Sequence, residues 1–157
     1  MVGMRERFPA RRRGVGGGLD VLCPRLGDGC LDELPAALDG ADGAEAVRLI
    51  DVLWLDDAGR VAAAFEVEHT TSIYSGIVRL LDLAHGVPGH AATGLYLVAP
   101  DAREKDVRQQ VLRPAFRSVA GLNVRFLGYG DLQRERAAMA RFGSGLKALE
   151  AVARVLT

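Results

Sequence analysis

The most coherent apolar pattern begins at Val47, where Val47 to Leu55 is an almost continuous apolar run broken by Arg48 and Asp51. A run of this length, closed by a turn, predicts a strand buried on both faces. Asp56-Asp57-Ala58-Gly59 supplies the turn, and Val61 to Glu68 predicts a second strand near enough in sequence to form an antiparallel hairpin with the first. From Thr70 the period changes. Ile73, Ile77, Leu80, Leu81 and Ala84 recur at helical spacing, Thr70, Thr71 or Ser72 is placed to cap the first turn, and Gly86-Val87-Pro88 ends the helix. Thr93 to Ala99 predicts a third strand, Ala102 to about Leu112 a helix stopped by Pro114, and Leu122 to Leu127 a fourth strand. Asp131 to the C-terminus reads as helix, interrupted at Gly143-Ser144-Gly145.

A hairpin followed by alternating helix and strand implies the α/β class: a mixed sheet with a central antiparallel hairpin, flanked by helices. There is no internal repeat. The chain ahead of Val47 is less regular. Residues 1–18 are Arg-rich and then Gly-rich, a composition that buries little surface, and are expected to form a poorly ordered basic arm. Residues 19–43 mix short apolar groups with Gly, Pro and Asp and predict a short strand and irregular structure. The expected organisation is therefore an arm over 1–18 and a single domain over 19–157, with its core at about 46–128.

Composition agrees with one domain, since 157 residues at 49% hydrophobic content can bury a core. Lys plus Arg (20) equals Asp plus Glu (20), which excludes a protein that binds nucleic acid by bulk charge. Any phosphate contact must be local, and the Arg5 to Arg13 run and the cluster Arg103, Lys105, Arg108, Arg113 and Arg117 are the candidates. Cys23 and Cys30 are too few for a disulfide framework and match no zinc spacing with His69, His85 or His90, which fits a reducing cytoplasm. No apolar run approaches the roughly 20 residues that span a bilayer. The basic start lacks the apolar stretch of a secretory signal.

The chemistry lies in Ile50-Asp51-Val52-Leu53-Trp54 and Phe65-Glu66-Val67-Glu68-His69-Thr70-Thr71. Residues two apart on a strand share a face, so Glu66 and Glu68 stand side by side while Val67 points away with Phe65. An ionised Asp51 inside a buried run is costly unless paired, and a metal ion is a fitting partner. A divalent cation would let Asp51, Glu66 and Glu68 all ionise, where bare like charges would leave a proton shared. Hard oxygen ligands select Mg²⁺ or Mn²⁺, and the site reads as hydrolytic. The hairpin sets Asp51 opposite residues 64 to 66; a slip of one residue would send it to the other face, and a bulge would correct this. The alternative is that Asp51 marks a strand near solvent and the two Glu are the polar half of an alternating strand.

Asp51 on one strand and Glu66-Val67-Glu68 on the next resemble the split motif of the PD-(D/E)XK nuclease superfamily. The wider strings Ile50 to Trp54, Phe65 to Gly76 and Arg113-Pro-Ala-Phe116 resemble a bacterial group of restriction-endonuclease-like proteins, over about Ala46 to Phe116. The resemblance implies a restriction-endonuclease-like fold and a Mg²⁺-dependent deoxyribonuclease that cuts phosphodiesters with metal-activated water. It also implies that Asp51, Glu66 and the backbone carbonyl of Val67 ligate the metal. The superfamily usually has Lys where this chain has Glu68, so Glu68 would instead accept a proton or bind a second metal.

The N-terminus of the helix after the motif aims its N–H groups back toward Glu68, so Thr70, Thr71, Ser72 and Tyr74 are candidates for phosphate and DNA contact. Arg103 and Arg113 are candidates on the basic helix, whereas Lys105 and Arg108 read as a solvated face. His69, facing opposite to Glu68 if the strand continues, reads as structural or as a support behind the site residues. DNA is the expected partner, with a homodimer or partner subunit for duplex cutting. Two rival expectations are a nuclease fold that has lost catalysis and serves as a DNA-binding or scaffold subunit, and a small non-enzymatic α/β interaction domain.

Overall fold

The structure, a computed structural model, describes residues 4–5, 31, 33–56, 58–70, 72–87, 94–116, 121–142 and 146–156. A six-stranded mixed sheet runs in chain order: β1 (Met4–Arg5), β2 (Val52–Leu55), β3 (Val61–Val67), β4 (Gly94–Ala99), β5 (Arg125–Gly128) and β6 (Arg154–Val155). β2 and β3 form the expected antiparallel hairpin, β3, β4 and β5 are mutually parallel, and β6 returns antiparallel to β5. Of the expected arm, Met4–Arg5 alone is among the described residues, and it pairs in parallel with β2.

Parallel neighbours need crossovers, and two helices provide them: α3 (Ile73–Gly86) between β3 and β4, and α4 (Glu104–Val111) between β4 and β5. Both cover one sheet face. Ile73, Ile77, Leu80 and Leu83 of α3 and Val107 and Val111 of α4 pack there on Leu53, Ala64, Leu97 and Phe126. Helices α5 (Tyr129–Phe142) and α6 (Leu146–Val152) follow β5, and Leu132, Leu146 and Leu149 pack on the opposite face against Phe65, Tyr96 and Leu127. Covered on both sides, β4 is buried from Leu95 to Ala99, as a central parallel strand requires. No helix among the described residues is long and apolar enough to cross a membrane.

Three expectations are corrected. The apolar run from Val47 does not form one strand: α1 (Ala36–Asp39) and α2 (Ala44–Arg48) precede β2, which starts at Val52. Val47 and Ile50 are buried from the helix and the turn that follows it, so the continuous run is a helix end joined to a short strand. The irregular reading of 19–43 fails at Ala36–Asp39, while residues 19–30 lie outside the described residues. Beyond the C-terminal helices lies β6, held by Arg154, which pairs with Glu104 and Asp131 and lies 6.0 Å from the Phe126 ring centroid.

The hairpin register contains an irregularity that matters for the site. Leu55 pairs with Val61 but Trp54 pairs with Ala63, so Ala62 is the extra residue of a bulge. Side-chain parity changes there: Val61 and Ala64 face α3, whereas Ala63 and Phe65 face α6. Without Ala62 the register would carry Asp51 opposite Phe65; with it, the step before the Val52–Phe65 pair sets Asp51 opposite Glu66.

Candidate active site

Asp51, Glu66 and Glu68 are brought to the α3 side of the sheet. Glu66 is 0% and Glu68 1% exposed, so neither is the polar half of a solvated strand, while Val67 is 41% exposed on the other side. Asp51 ends the β2–β3 ladder, and its Oδ2 accepts the Val67 N–H at 2.7 Å. The Glu68 N–H donates to the Val98 carbonyl at 2.8 Å, which anchors the strand end to β4.

The carboxylates are buried against α3, and that helix is shaped for them. A Cβ at Gly76 would stand 2.5 Å from Glu68 Oε1 and 3.2 Å from Glu66 Cβ, so any side chain there would have to displace the Glu68 carboxylate. One turn on, Arg79 Nε donates to Glu66 Oε1 at 3.0 Å and Nη2 to Oε2 at 2.5 Å, a bidentate fork. The same Nη2 lies 3.9 Å from Glu68 Oε1. Neither Gly76 nor Arg79 was singled out by the sequence reading, although an Arg within Ile77-Val78-Arg79-Leu80-Leu81, three residues after a helix-interior Gly, was a visible signal.

One guanidinium thus faces three carboxylates. Burial pushes the Glu66 carboxyl up to about 7 against the lowering pull of Arg79, and the charges of Asp51 and Glu68 add to the rise. Among the described residues no group of three His, Cys, Asp or Glu side chains stands close enough together to hold a metal ion. The donors that are present are hard oxygens with an excess of negative charge, which suits a hard divalent cation. Arg79 is the cation that occupies Glu66 in this arrangement.

The expected phosphate contacts divide. Thr71 lies outside the described residues, and Thr70 is exposed beside the site. Ser72 sits at the N-cap position of α3 without a side-chain capping bond, and its carbonyl accepts the Ser75 N–H and hydroxyl. Ser72, Tyr74, Arg103 and Arg113 line one cavity of about 450 Å³. Arg103 reaches the acidic site directly, with Nη1 donating to the Glu68 carbonyl at 2.7 Å. His69 stacks on Tyr129 with ring centroids 5.9 Å apart.

Residues 29–150 match the family of the Type II restriction enzyme NmeDI C-terminal domain. The Type II restriction enzyme NmeDI of Neisseria meningitidis serogroup C is 32% identical over 88 residues, covering 56% of this chain and 24% of that enzyme. The chain therefore matches about a quarter of the length of this curated relative. No solved structure matches.

Proposed function

This chain belongs to the family of the Type II restriction enzyme NmeDI C-terminal domain, and from that membership and its acidic site we propose a Mg²⁺- or Mn²⁺-dependent nuclease of the PD-(D/E)XK type that hydrolyses DNA phosphodiester bonds. The observation that supports the reading is that Glu66 and Glu68 are buried side by side against Arg79, with the half-buried Asp51 at the neighbouring strand end bonded to the Val67 peptide. Asp51, Glu66 and the Val67 carbonyl are the groups that would hold the ion, which when bound supplies an activated water and stabilises developing charge on the leaving oxygen.

The chain's own residues do the rest. Glu68, buried beside Arg79, accepts the proton of the attacking water, in place of the electrostatic role that a Lys would play there. Asp51 holds the Val67 peptide, and Arg103 holds the Glu68 carbonyl, so the motif is fixed from both sides. Thr70, Ser72, Arg103 and Arg113 would donate to a DNA backbone, a reading supported by Ser72, Arg103 and Arg113 lining one cavity at the start of α3. A second copy of the chain or a partner subunit supplies the second cut when the substrate is duplex.

A catalytically silent DNA-binding domain is the second reading, and one observation favours it: both Glu66 oxygens are engaged by Arg79. Incubation with plasmid, linear duplex and single-stranded DNA in Mg²⁺, Mn²⁺ or EDTA, alongside Asp51→Ala and Glu66→Ala, separates the two. Metal-dependent cutting that both substitutions abolish is the expected result. DNA binding without cutting in any metal would establish the silent domain instead.

A further inference from the structure

The face of α4 that looks toward the start of α3 is polar, which is the reverse of what packing against a neighbour calls for. Val107 and Val111 turn inward to the core, while Asp106, Gln109 and Gln110 follow one another on one side of the helix, with Arg103 at its N-cap and Arg113 just past its C-cap on the same cavity wall. This side does not close against α3. It forms one wall of the cavity of about 450 Å³, with Ser72, Ile73 and Tyr74 as the other. The volume lies in the range of small-molecule sites, roughly 300–1,000 Å³.

The wall chemistry is mixed in a way that plain backbone contact does not require. Tyr74 is 52% exposed and is braced from behind by Phe116, with ring centroids 5.3 Å apart and planes 57° from parallel, so it offers a fixed aromatic surface to the cavity. Gln109 is a carboxamide able to donate and accept at once, Gln110, whose Oε1 already accepts from Arg113, keeps its NH₂ to donate, and Asp106 accepts. These are the groups that read the edge of a nucleobase. Arg113, fixed by donating to Gln110 Oε1 at 3.0 Å, adds a cation at the same wall. The cavity borders the acidic site through Arg103, whose guanidinium bonds the Glu68 carbonyl.

We propose that this cavity binds one unstacked nucleotide of the substrate strand, its base against Tyr74 with Gln109, Gln110 and Asp106 at its edge and its phosphate on Arg113. The proposal rests on the nuclease reading for the identity of the strand, and it adds a base-contacting subsite next to the scissile position. Stacking of a base on an aromatic side chain changes affinity by roughly 5- to 150-fold per base.

The test is fluorescence anisotropy of a labelled single-stranded oligonucleotide in EDTA, so that binding is read without cutting. Tyr74→Ala should weaken binding roughly 5- to 150-fold, Tyr74→Phe should recover most of the loss, and Gln109→Ala, an exposed change with no core contact, should weaken it also. Deoxynucleoside monophosphates should displace the oligonucleotide from the wild type, and deoxyribose 5-phosphate should not. Equal displacement by the sugar phosphate, or unchanged affinity in both Tyr74→Ala and Gln109→Ala, overturns the subsite. If the wild type still cuts DNA in that case, the nuclease reading stands and the subsite alone falls. A wild type that neither binds nor cuts DNA overturns both.

Discussion

Removing the guanidinium of Arg79 while keeping an unbranched stem, as in Arg79→Met, leaves the Glu66 carboxylate, 0% exposed, without its bidentate cation. Breaking a buried pair by deleting one partner costs about 3–5 kcal/mol. The Arg79 side chain is itself 25% exposed, so the lower end, about 3 kcal/mol, is expected. The cost should depend on pH in a defined direction. Glu66 titrates near 7 in the folded protein against 4.5 as an ordinary glutamate, and both contributions of Arg79 pull that value down, so the variant must titrate higher still. At pH 8 the wild type holds Glu66 ionised against Arg79, whereas the variant must bury the charge alone or take up a proton. At pH 5 Glu66 is protonated in both proteins, and only hydrogen bonds are lost, about 1 kcal/mol. Urea denaturation at pH 5 and pH 8 in EDTA measures the difference directly. A cost equal at the two pH values, or below about 1 kcal/mol at pH 8, would refute the assignment of Arg79 as the counter-charge of Glu66.

In the wild type the folded state keeps the Glu66 proton between pH 4.5 and about 7 while the unfolded state has lost it, so this group makes stability fall as pH rises through that window. The fall is roughly 3 kcal/mol, and Glu66→Gln should flatten that part of a denaturation-versus-pH curve. Gly76→Ala places a Cβ 2.5 Å from Glu68 Oε1, so it should lower stability by about 1–3 kcal/mol and, in a metal titration by calorimetry, weaken Mn²⁺ binding if the carboxylates form the proposed site. Asp51→Ala should leave the Val67 N–H without its acceptor, lowering stability by about 1–3 kcal/mol, and should abolish cleavage. Arg154→Met should free β6: with the side chain 40% exposed the loss is about 1 kcal/mol, and amide exchange at Phe126 and Val155 should rise.

The parts of the fold legible in the sequence are those where one period runs long enough to dominate. Ile73, Ile77, Leu80 and Ala84 gave α3, and the apolar stretch to Ala99 gave β4, because each is held by burial along its whole length. The run from Val47 misled because the junction between helix end and strand start carries an exposed apolar residue, Leu49, between the buried Val47 and Ile50, so the sequence shows no break there apart from Arg48 and Asp51. β6 has two residues, and its place is set by Arg154 reaching Glu104 and Asp131 rather than by any local pattern. The alternation of Glu66 and Glu68 placed them together from sequence alone. Their alignment with Asp51 was not readable in the same way, because it depends on Ala62 standing unpaired, and an alanine in a strand carries no mark of a bulge.

The same reasoning explains why the helix that follows the motif belongs to the site. Glu66 and Glu68 face a core helix, so their burial demands two things of it: backbone close enough to exclude water, and a cation long enough to reach both carboxylates. Gly76 meets the first and Arg79, one turn later on the same face, meets the second. In the motif that this strand resembles, a Lys brings positive charge on the strand itself. Here Glu68 adds a negative charge at that position, and Arg79 is the positive charge beside it. A change at Glu68 and a change at Arg79 should therefore not act independently. In a double-mutant cycle on stability at pH 8, Glu68→Gln should relieve part of the loss caused by Arg79→Met, since it removes the buried carboxylate that lies 3.9 Å from the lost guanidinium. Strict additivity would show that Arg79 serves Glu66 alone.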